Sequence, residues 1–383
     1  MRIAFFIDNF LDQNPYSESI AQLKDFCEKN GHKVILFTTT DMDEKSAKKM
    51  KDEKYGKDAS IFIFKANYIK GYPQFRFSIS PFLSAKKLLK EAGCDIIHNF
   101  SLGALGMAAA TFKKDLKLPG VMTIFELLHY FKIKTSKADE LISDIVLKYM
   151  KWLESRFDII HYPSFFAMNE LMPLLGKGEV IYLPIPKLPD NDLNEKDDSE
   201  KIERHKKEKN GHGNNSKDNN SNFNINNERE IAYIGQVSNK VEIEKIKSMS
   251  DAIKNKLGKE IKILNIGNGK NDVRYNERHH YYKNLLVYVE PRNYFEYLFY
   301  SVECLCLGKP VVCHKNSATA EFLKKIECEN LAYEDESFLS DAILRAIESK
   351  DKIKKGSAII KKTLDENKKM FLKTYEGLFA SKS

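Results

Sequence analysis

The sequence predicts an α/β protein with two doubly wound domains. Three observations carry this. Short apolar runs alternate with amphipathic helical stretches along most of the chain. One long polar stretch, 188–229, interrupts the alternation, which then resumes. The length of 383 residues suits two domains of ordinary size.

The run 3-IAFFI-7 reads as a buried parallel strand, because strands covered on both faces are continuously apolar. A polar loop, 8-DNFLDQNPYSES-19, leads into a helix with Ile20, Leu23 and Phe26 on one face, stopped at Asn30-Gly31. With 34-VILFTTT-40 these segments make a βαβ unit. Further strands are predicted at 60–64, 95–100, 120–125, 158–163 and 179–184, and helices at 81–92, 102–117, 138–156 and 164–175. After the polar stretch come strands at 231–235, 261–267, 285–290 and 310–314, and helices at 241–257, 293–307, 338–349 and 358–380. Residues 188–229 are rich in Asn, Lys, Asp and Glu and nearly free of apolar side chains. They cannot bury enough surface to offset ordering entropy, so disorder is expected there, with His205 and His212 solvated.

The hydrophobic fraction of 42% is enough for two packed cores, and the net charge of +8 suits an anionic partner or simply lysine-rich solvated faces. The six cysteines form no CxxC pair and sit in apolar runs, as reduced core residues do. No metal cluster has zinc-like spacing. No apolar run approaches the roughly 20 residues that span a bilayer, and 1-MRIAFFID-8 is too short for a signal peptide. A cytoplasmic protein is expected, either free or peripheral at the cytosolic membrane face. Two stretches bear on the second option. Residues 45–57 carry six lysines against two acids, and 68-YIKGYPQFRF-77 interleaves aromatics with cations. Both suit an anionic lipid surface, and both suit plain solvation. No nucleic-acid module is recognisable, so nucleic acid is not an expected partner. His279-His280 reads as a polar loop.

Several blocks in order resemble glycosyltransferase family 4, and most closely its diacylglycerol glucosyltransferase type. They are the opening 1–41, 95-DIIHNFSLGALGMAAA-110, 158-DIIHYPS-164, 231-IAYIGQVS-238, 263-ILNIGNGK-270 and 303-ECLCLGKPVV-312. The closing 366-ENKKMFLKTYEGLF-379 resembles the family's last helix, which returns to the first domain. The resemblance implies the GT-B fold, two Rossmann-like domains facing across a cleft. Residues 1–187 would form the acceptor-side domain and 230–357 the nucleotide-sugar domain, with 188–229 an insert and 358–383 the returning helix. It also implies retaining transfer of a hexose from a nucleotide-sugar donor to a lipid or glycan acceptor. No cofactor or metal is implied.

The resemblance assigns Glu303 the second Glu of an E-x7-E motif, accepting from ribose hydroxyls. The alternative reading is an exposed first-turn Glu favoured by the helix dipole. Gly308 and Pro310 follow at the family spacing. The donor side would also hold Gly235, Gln236, Ser238, Lys240, Gly267 and Glu296. Catalysis would fall to Glu126 and His129, and Asn14, Ser17 and Tyr130 would border the acceptor. Departures from the pattern are equally plain. The first motif Glu falls on Phe295, the phosphate-binding Arg on Gln236 and the following Lys on Val241. Pro15 stands where Gly is usual, and Phe125 where a catalytic His is common. They leave open a relative that kept the fold and lost the chemistry, acting as a binding or assembly subunit. A sugar-nucleotide epimerase is a third option that no residue selects.

Overall fold

The computed structural model describes residues 1–12, 14–69, 72–77, 81–124, 137–188, 230–233, 278–279, 282, 285–290 and 299–381. The first unit contains β1 (Arg2–Ile7), β2 (Lys33–Thr40), β3 (Ile61–Lys65), the antiparallel pair β4 (Asn67–Ile69) and β5 (Tyr72–Phe77), β6 (Ile96–Asn99), β7 (Gly120–Thr123), β8 (Ile159–Tyr162) and β9 (Glu179–Val180). Its helices are α1 (Pro15–Lys29), α2 (Glu44–Tyr55), α3 (Pro81–Glu91), α4 (Ala104–Leu116), α5 (Lys137–Glu154) and α6 (Phe165–Leu175). The main sheet runs β3-β2-β1-β6-β7-β8-β9 and is parallel throughout.

The period-2 alternation of β1 explains why its residues 3–7 are all apolar. Ile3, Phe5 and Ile7 join the core that includes Ile20, Leu23 and Cys27 of α1. Ala4 and Phe6 join the opposite core, with Leu89 of α3, Leu105 and Phe112 of α4, and Leu171 of α6. Helix α1 starts where Asn14 Oδ1 accepts from Ser17 N at 2.8 Å. Pro15 takes the first helical position, where its missing N–H costs nothing.

The second unit has a parallel sheet ordered β10 (Glu230–Tyr233), β11 (Leu285–Glu290), β12 (Val311–His314) and β13 (Ala332–Tyr333). Its helices are α7 (Phe299–Cys306), α8 (Ala318–Lys325), α9 (Leu339–Glu348) and α10 (Lys350–Ala380). The insert 189–229, the helix predicted at 241–257 and the strand predicted at 261–267 lie outside the described residues.

Several boundaries differ from expectation for physical reasons. The lysine-rich 45–57 largely folds as α2, capped by Asp43 Oδ1 accepting from Ser46 N at 3.0 Å. Ala47 is its one buried residue among those described, so no apolar stripe marked the helix. Residues 68–77 fall within the β4–β5 hairpin. The strand predicted at 179–184 shortens to Glu179–Val180, because the following residues turn to other partners. Tyr182 N donates to Asn367 Oδ1 of α10 at 2.8 Å. Helix α10 begins at Lys350 rather than 358 and runs 31 residues. Gly356 lies inside this helix and lets α10 pass close to the end of α8: a Cβ there would stand 2.7 Å from Ile326 Cβ.

The two units are joined through polar contacts that are buried at His98 and more open at Glu321. On the first sheet, His98 Nδ1 lies 2.5 Å from Tyr375 Oη of α10, and its Nε2 lies 2.7 Å from Thr123 Oγ1. Phe371 packs edge-on against His161 of β8, with ring centroids 5.2 Å apart. Glu321 of α8 accepts from the first N–H groups of α6, Phe165 N at 3.1 Å and Phe166 N at 2.7 Å, and from Tyr182 Oη at 2.8 Å. A carboxylate of one unit thus satisfies the open helix start of the other.

Candidate functional site

Glu303 lies in the middle of α7 rather than at its start, and it is fully buried rather than exposed. Its carboxylate is gripped by Arg278. Nη2 donates to Oε1 at 2.7 Å and Nε donates to Oε2 at 3.0 Å, the two-pronged geometry in which guanidinium and carboxylate bind best. Tyr282 Oη donates to Oε2 at 2.9 Å, and His279 Nε2 stands 3.7 Å from Oε1. Residues 278, 279 and 282 are helical, and Arg278 and Tyr282 are 2% exposed, so the polar loop expected at His279 is not observed there. The pair Arg278–Glu303 turns inward because neither charge could be buried alone.

The cluster reaches the first unit. Arg278 Nη2 also lies 3.4 Å from Glu18 Oε2, in the first turn of α1. Beside it, Tyr16 of α1 packs edge-on against Phe299 of α7, with ring centroids 4.9 Å apart. The end of α7 is fixed by Gly308, whose φ of +69° suits glycine and whose added Cβ would stand 3.2 Å from Lys354 Cα.

Charge and burial shape the proton affinities here. Burial alone would raise the Glu303 carboxyl, but His279 and Arg278 beside it hold it below its usual range. Burial pushes the Tyr282 hydroxyl well up, and the Glu303 charge adds to this. Lys54 of α2 is lowered by burial, opposed by Glu18. All six cysteines are buried and free. Burial pushes the Cys27, Cys306 and Cys313 thiols up to about 12, which makes them core residues rather than nucleophiles.

Of the other residues singled out from sequence, Asn14 and Ser17 are placed at the start of α1. Asn14 caps it, and Ser17 Oγ bonds to Asp12 O and, at 3.0 Å, to Asn14 O, so both side chains serve the helix start. Glu126, His129, Tyr130, Gly235, Gln236, Ser238, Lys240, Gly267 and Glu296 lie outside the described residues. Arg278, Tyr282 and Glu18 were not foreseen as site residues. A first-turn acid at Glu18 was the one sequence signal among them.

A second feature sits where the strand order reverses, between β1 and β6, the position at which open α/β sheets receive ligands. Asp8 follows β1 and is buried there. Its carboxylate accepts from Ser101 Oγ, from Gly103 N at 3.1 Å and from Leu105 N at 3.4 Å. The N-terminus of α4 is therefore served by an internal anion. Among the described residues, no cluster of three metal-binding side chains exists, and no helix is long and apolar enough to cross a membrane.

Residues 17–186, which run from α1 beyond β9, match the family described as Glycosyltransferase Family 4. That segment belongs to glycosyltransferase family 4. An alpha-monoglucosyldiacylglycerol synthase of Streptococcus pneumoniae is 35% identical over 127 residues, which is 32% of this chain and 26% of that protein. The match therefore spans about a quarter of that curated relative's length.

Solved structures extend the likeness over the whole chain. S. aureus TarM, as a mutant in complex with Fondaparinux, alpha-GlcNAc-glycerol and UDP, superposes with a TM-score of 0.62 at 8% identity, covering 99% of each chain. Sucrose-phosphate synthase from Thermosynechococcus elongatus gives 0.60 at 12% identity, covering all of both chains. UDP-GlcNAc 2-epimerase from Neisseria meningitidis gives 0.56 at 12% identity, over 98% of this chain and 100% of that one. At these identities the likeness speaks for architecture, and the architecture is GT-B. The family 4 segment thus carries the first of two α/β units, and the buried Glu303–Arg278 pair meets it through Glu18.

Proposed function

We propose that the chain is a retaining glycosyltransferase that moves a hexose from a nucleotide-sugar donor to a lipid or glycan acceptor, without a bound metal. The observation that carries this reading is the carboxylate–guanidinium cluster of Glu303, Arg278 and Glu18 at the junction of the two units. In the transfer, the bond from the sugar's C1 to the donor diphosphate breaks. A bond from C1 to the acceptor oxygen forms on the same face, and the acceptor hydroxyl's proton passes to the departing diphosphate. The departing diphosphate gains charge, which cations and backbone N–H groups stabilise. Donor contacts would come from Glu303 and Arg278 together with Gly235, Gln236, Ser238, Lys240, Gly267 and Glu296. Glu126, His129 and Tyr130 would lie toward the acceptor, with Asn14 and Ser17 holding the wall at α1.

A lipid acceptor is supported by the name of the S. pneumoniae relative, a glucosyldiacylglycerol synthase. A glycan acceptor is supported by the GlcNAc-glycerol bound to TarM. Anionic lipid would be met by α2 and the β4–β5 hairpin, the sites of the cationic stretches. Liposome flotation should then show binding that grows with the anionic lipid fraction, and indifference to lipid charge would end the membrane proposal.

A second reading has its own support. Glu303 is 0% exposed with both oxygens engaged, which suits a binding or assembly subunit that no longer takes donor. Calorimetry with UDP-, GDP- and ADP-sugars separates the two. Binding of one donor is the expected result, and no binding at millimolar donor would rule out the enzyme.

A further inference from the structure

Donor diphosphate needs a cation, and the motif positions do not supply the usual ones. Gln236 stands where the family resemblance expects an arginine, and Val241 where it expects a lysine. Arg278 lies against the carboxylate assigned to the donor, in the seam between α7 and α1, and no motif marks it. Its contacts are unequal. Toward Glu303 they measure 2.7 and 3.0 Å, while Nη2 lies 3.4 Å from Glu18. The Glu303 side chain is 0% exposed and that of Glu18 is 31% exposed, so water screens the second contact and not the first.

We propose that Arg278 is the donor-responsive cation of this site: without donor it ties Glu303 to Glu18, and with donor its Nη2 edge leaves Glu18 for a nucleoside diphosphate. The inference rests on the donor reading above. The exchange strands no buried charge. Arg278 Nε keeps its bond to Glu303 Oε2, and Tyr282 Oη stays on the same oxygen. Glu18 gives up its partner where water reaches it. Diphosphate oxygens offer the guanidinium the planar, charge-assisted geometry that it prefers. The site thereby recovers a cation that the glycine-linked motif lacks.

Calorimetry on the full chain tests this with UDP, GDP and ADP, each beside its nucleoside, and with inorganic pyrophosphate. Glu18→Gln keeps the shape of a part-exposed side chain and removes the competing charge. It should tighten nucleoside diphosphate binding by about two- to fivefold, the strength of an exposed ion pair, and leave the nucleoside unchanged. Arg278→Lys keeps the charge but loses the fork, and should weaken the diphosphate by about tenfold or more with little effect on the nucleoside. Ligand-free melting curves establish that both variants fold. If Glu18→Gln leaves diphosphate affinity unchanged or weakens it, or if Arg278→Lys weakens nucleoside and diphosphate equally, Arg278 is a structural residue and the inference fails while the donor reading stands. Binding of pyrophosphate alone, with no nucleotide preferred, would also overturn it. If the natural chain binds no nucleoside diphosphate at millimolar concentration, the donor reading falls and this inference falls with it.

Discussion

Replacing Arg278 by methionine should lower stability in urea unfolding by about 3–5 kcal/mol, and adding Glu303→Met should return most of that loss. The expectation follows from burial on both sides. Arg278 and Glu303 side chains are 2% and 0% exposed, so removing the guanidinium leaves a carboxylate with no counter-charge and no water. Tyr282 still donates to it, and His279 stands nearby, but neither replaces two charge-assisted bonds. Removing both charges puts apolar volume in their place and ends the desolvation cost of each. If the double variant is as unstable as Arg278→Met, the pair is not an isolated electrostatic unit. The junction then depends on the shape of the arginine rather than on its charge.

The second large effect is an acid sensitivity seated under α10. His98 and His161 are fully buried on the same sheet. Burial lowers both, with each other's proximity adding to the effect at His98, and His161 falls from an ordinary 6.5 to about 3. The groups facing them are Tyr375 and Phe371 of α10, Thr123 of β7, and Phe5 and Phe100. None is a carboxylate that would welcome a proton. Both imidazoles stay neutral in the fold, while in the unfolded chain they protonate below about 6.5. Stability is therefore whole above that value and declines as pH falls toward 3, by about 1.4 kcal/mol per pH unit for each histidine. Neither ring nitrogen of His161 has a hydrogen-bond partner among the described residues, so His161→Leu removes an unmet polar group along with the titration. Urea midpoints at pH 7, 6 and 5 should fall less steeply in this variant, by one proton's worth. Parallel slopes would place the acid sensitivity elsewhere. Glu303, held below its usual range, also sheds stability in acid, but only below about 4.5, so the loss between pH 6.5 and 4.5 belongs to the histidines.

What the sequence disclosed depended on whether the signal was local. β1, β2 and β11 were legible because a strand covered on both faces carries a continuous apolar run, and their runs fill the cores as that pattern requires. Helix α2 was not, since its charge run buries almost nothing and so shows no periodicity. The early part of α10 contains Gly356, a helix breaker by propensity that here serves a close helix contact. At the candidate site, the spacing to Gly308 and Pro310 is what singled out Glu303 in the sequence. Arg278 and Tyr282 were not singled out. Arg278 is 25 residues from Glu303 and 260 from Glu18, separations that no motif spans. Asn14 and Ser17 were singled out by the family pattern, but local capping chemistry accounts for both side chains, and Pro15 fits as the first residue of α1.

The path of α10 bears on the order in which the chain can be made and folded. The face of β6, β7 and β8 carrying His98, Thr123 and His161 is closed by Phe371 and by Tyr375, which stands 277 residues beyond His98. Nascent chains generally complete their leading domain first. The sheet of the first unit therefore emerges with one flank uncovered, and that flank stays so until α10 has been made. A growing polypeptide in that interval exposes an apolar face with two histidines. Folding helpers that shield such faces would matter most for this protein before α10 emerges.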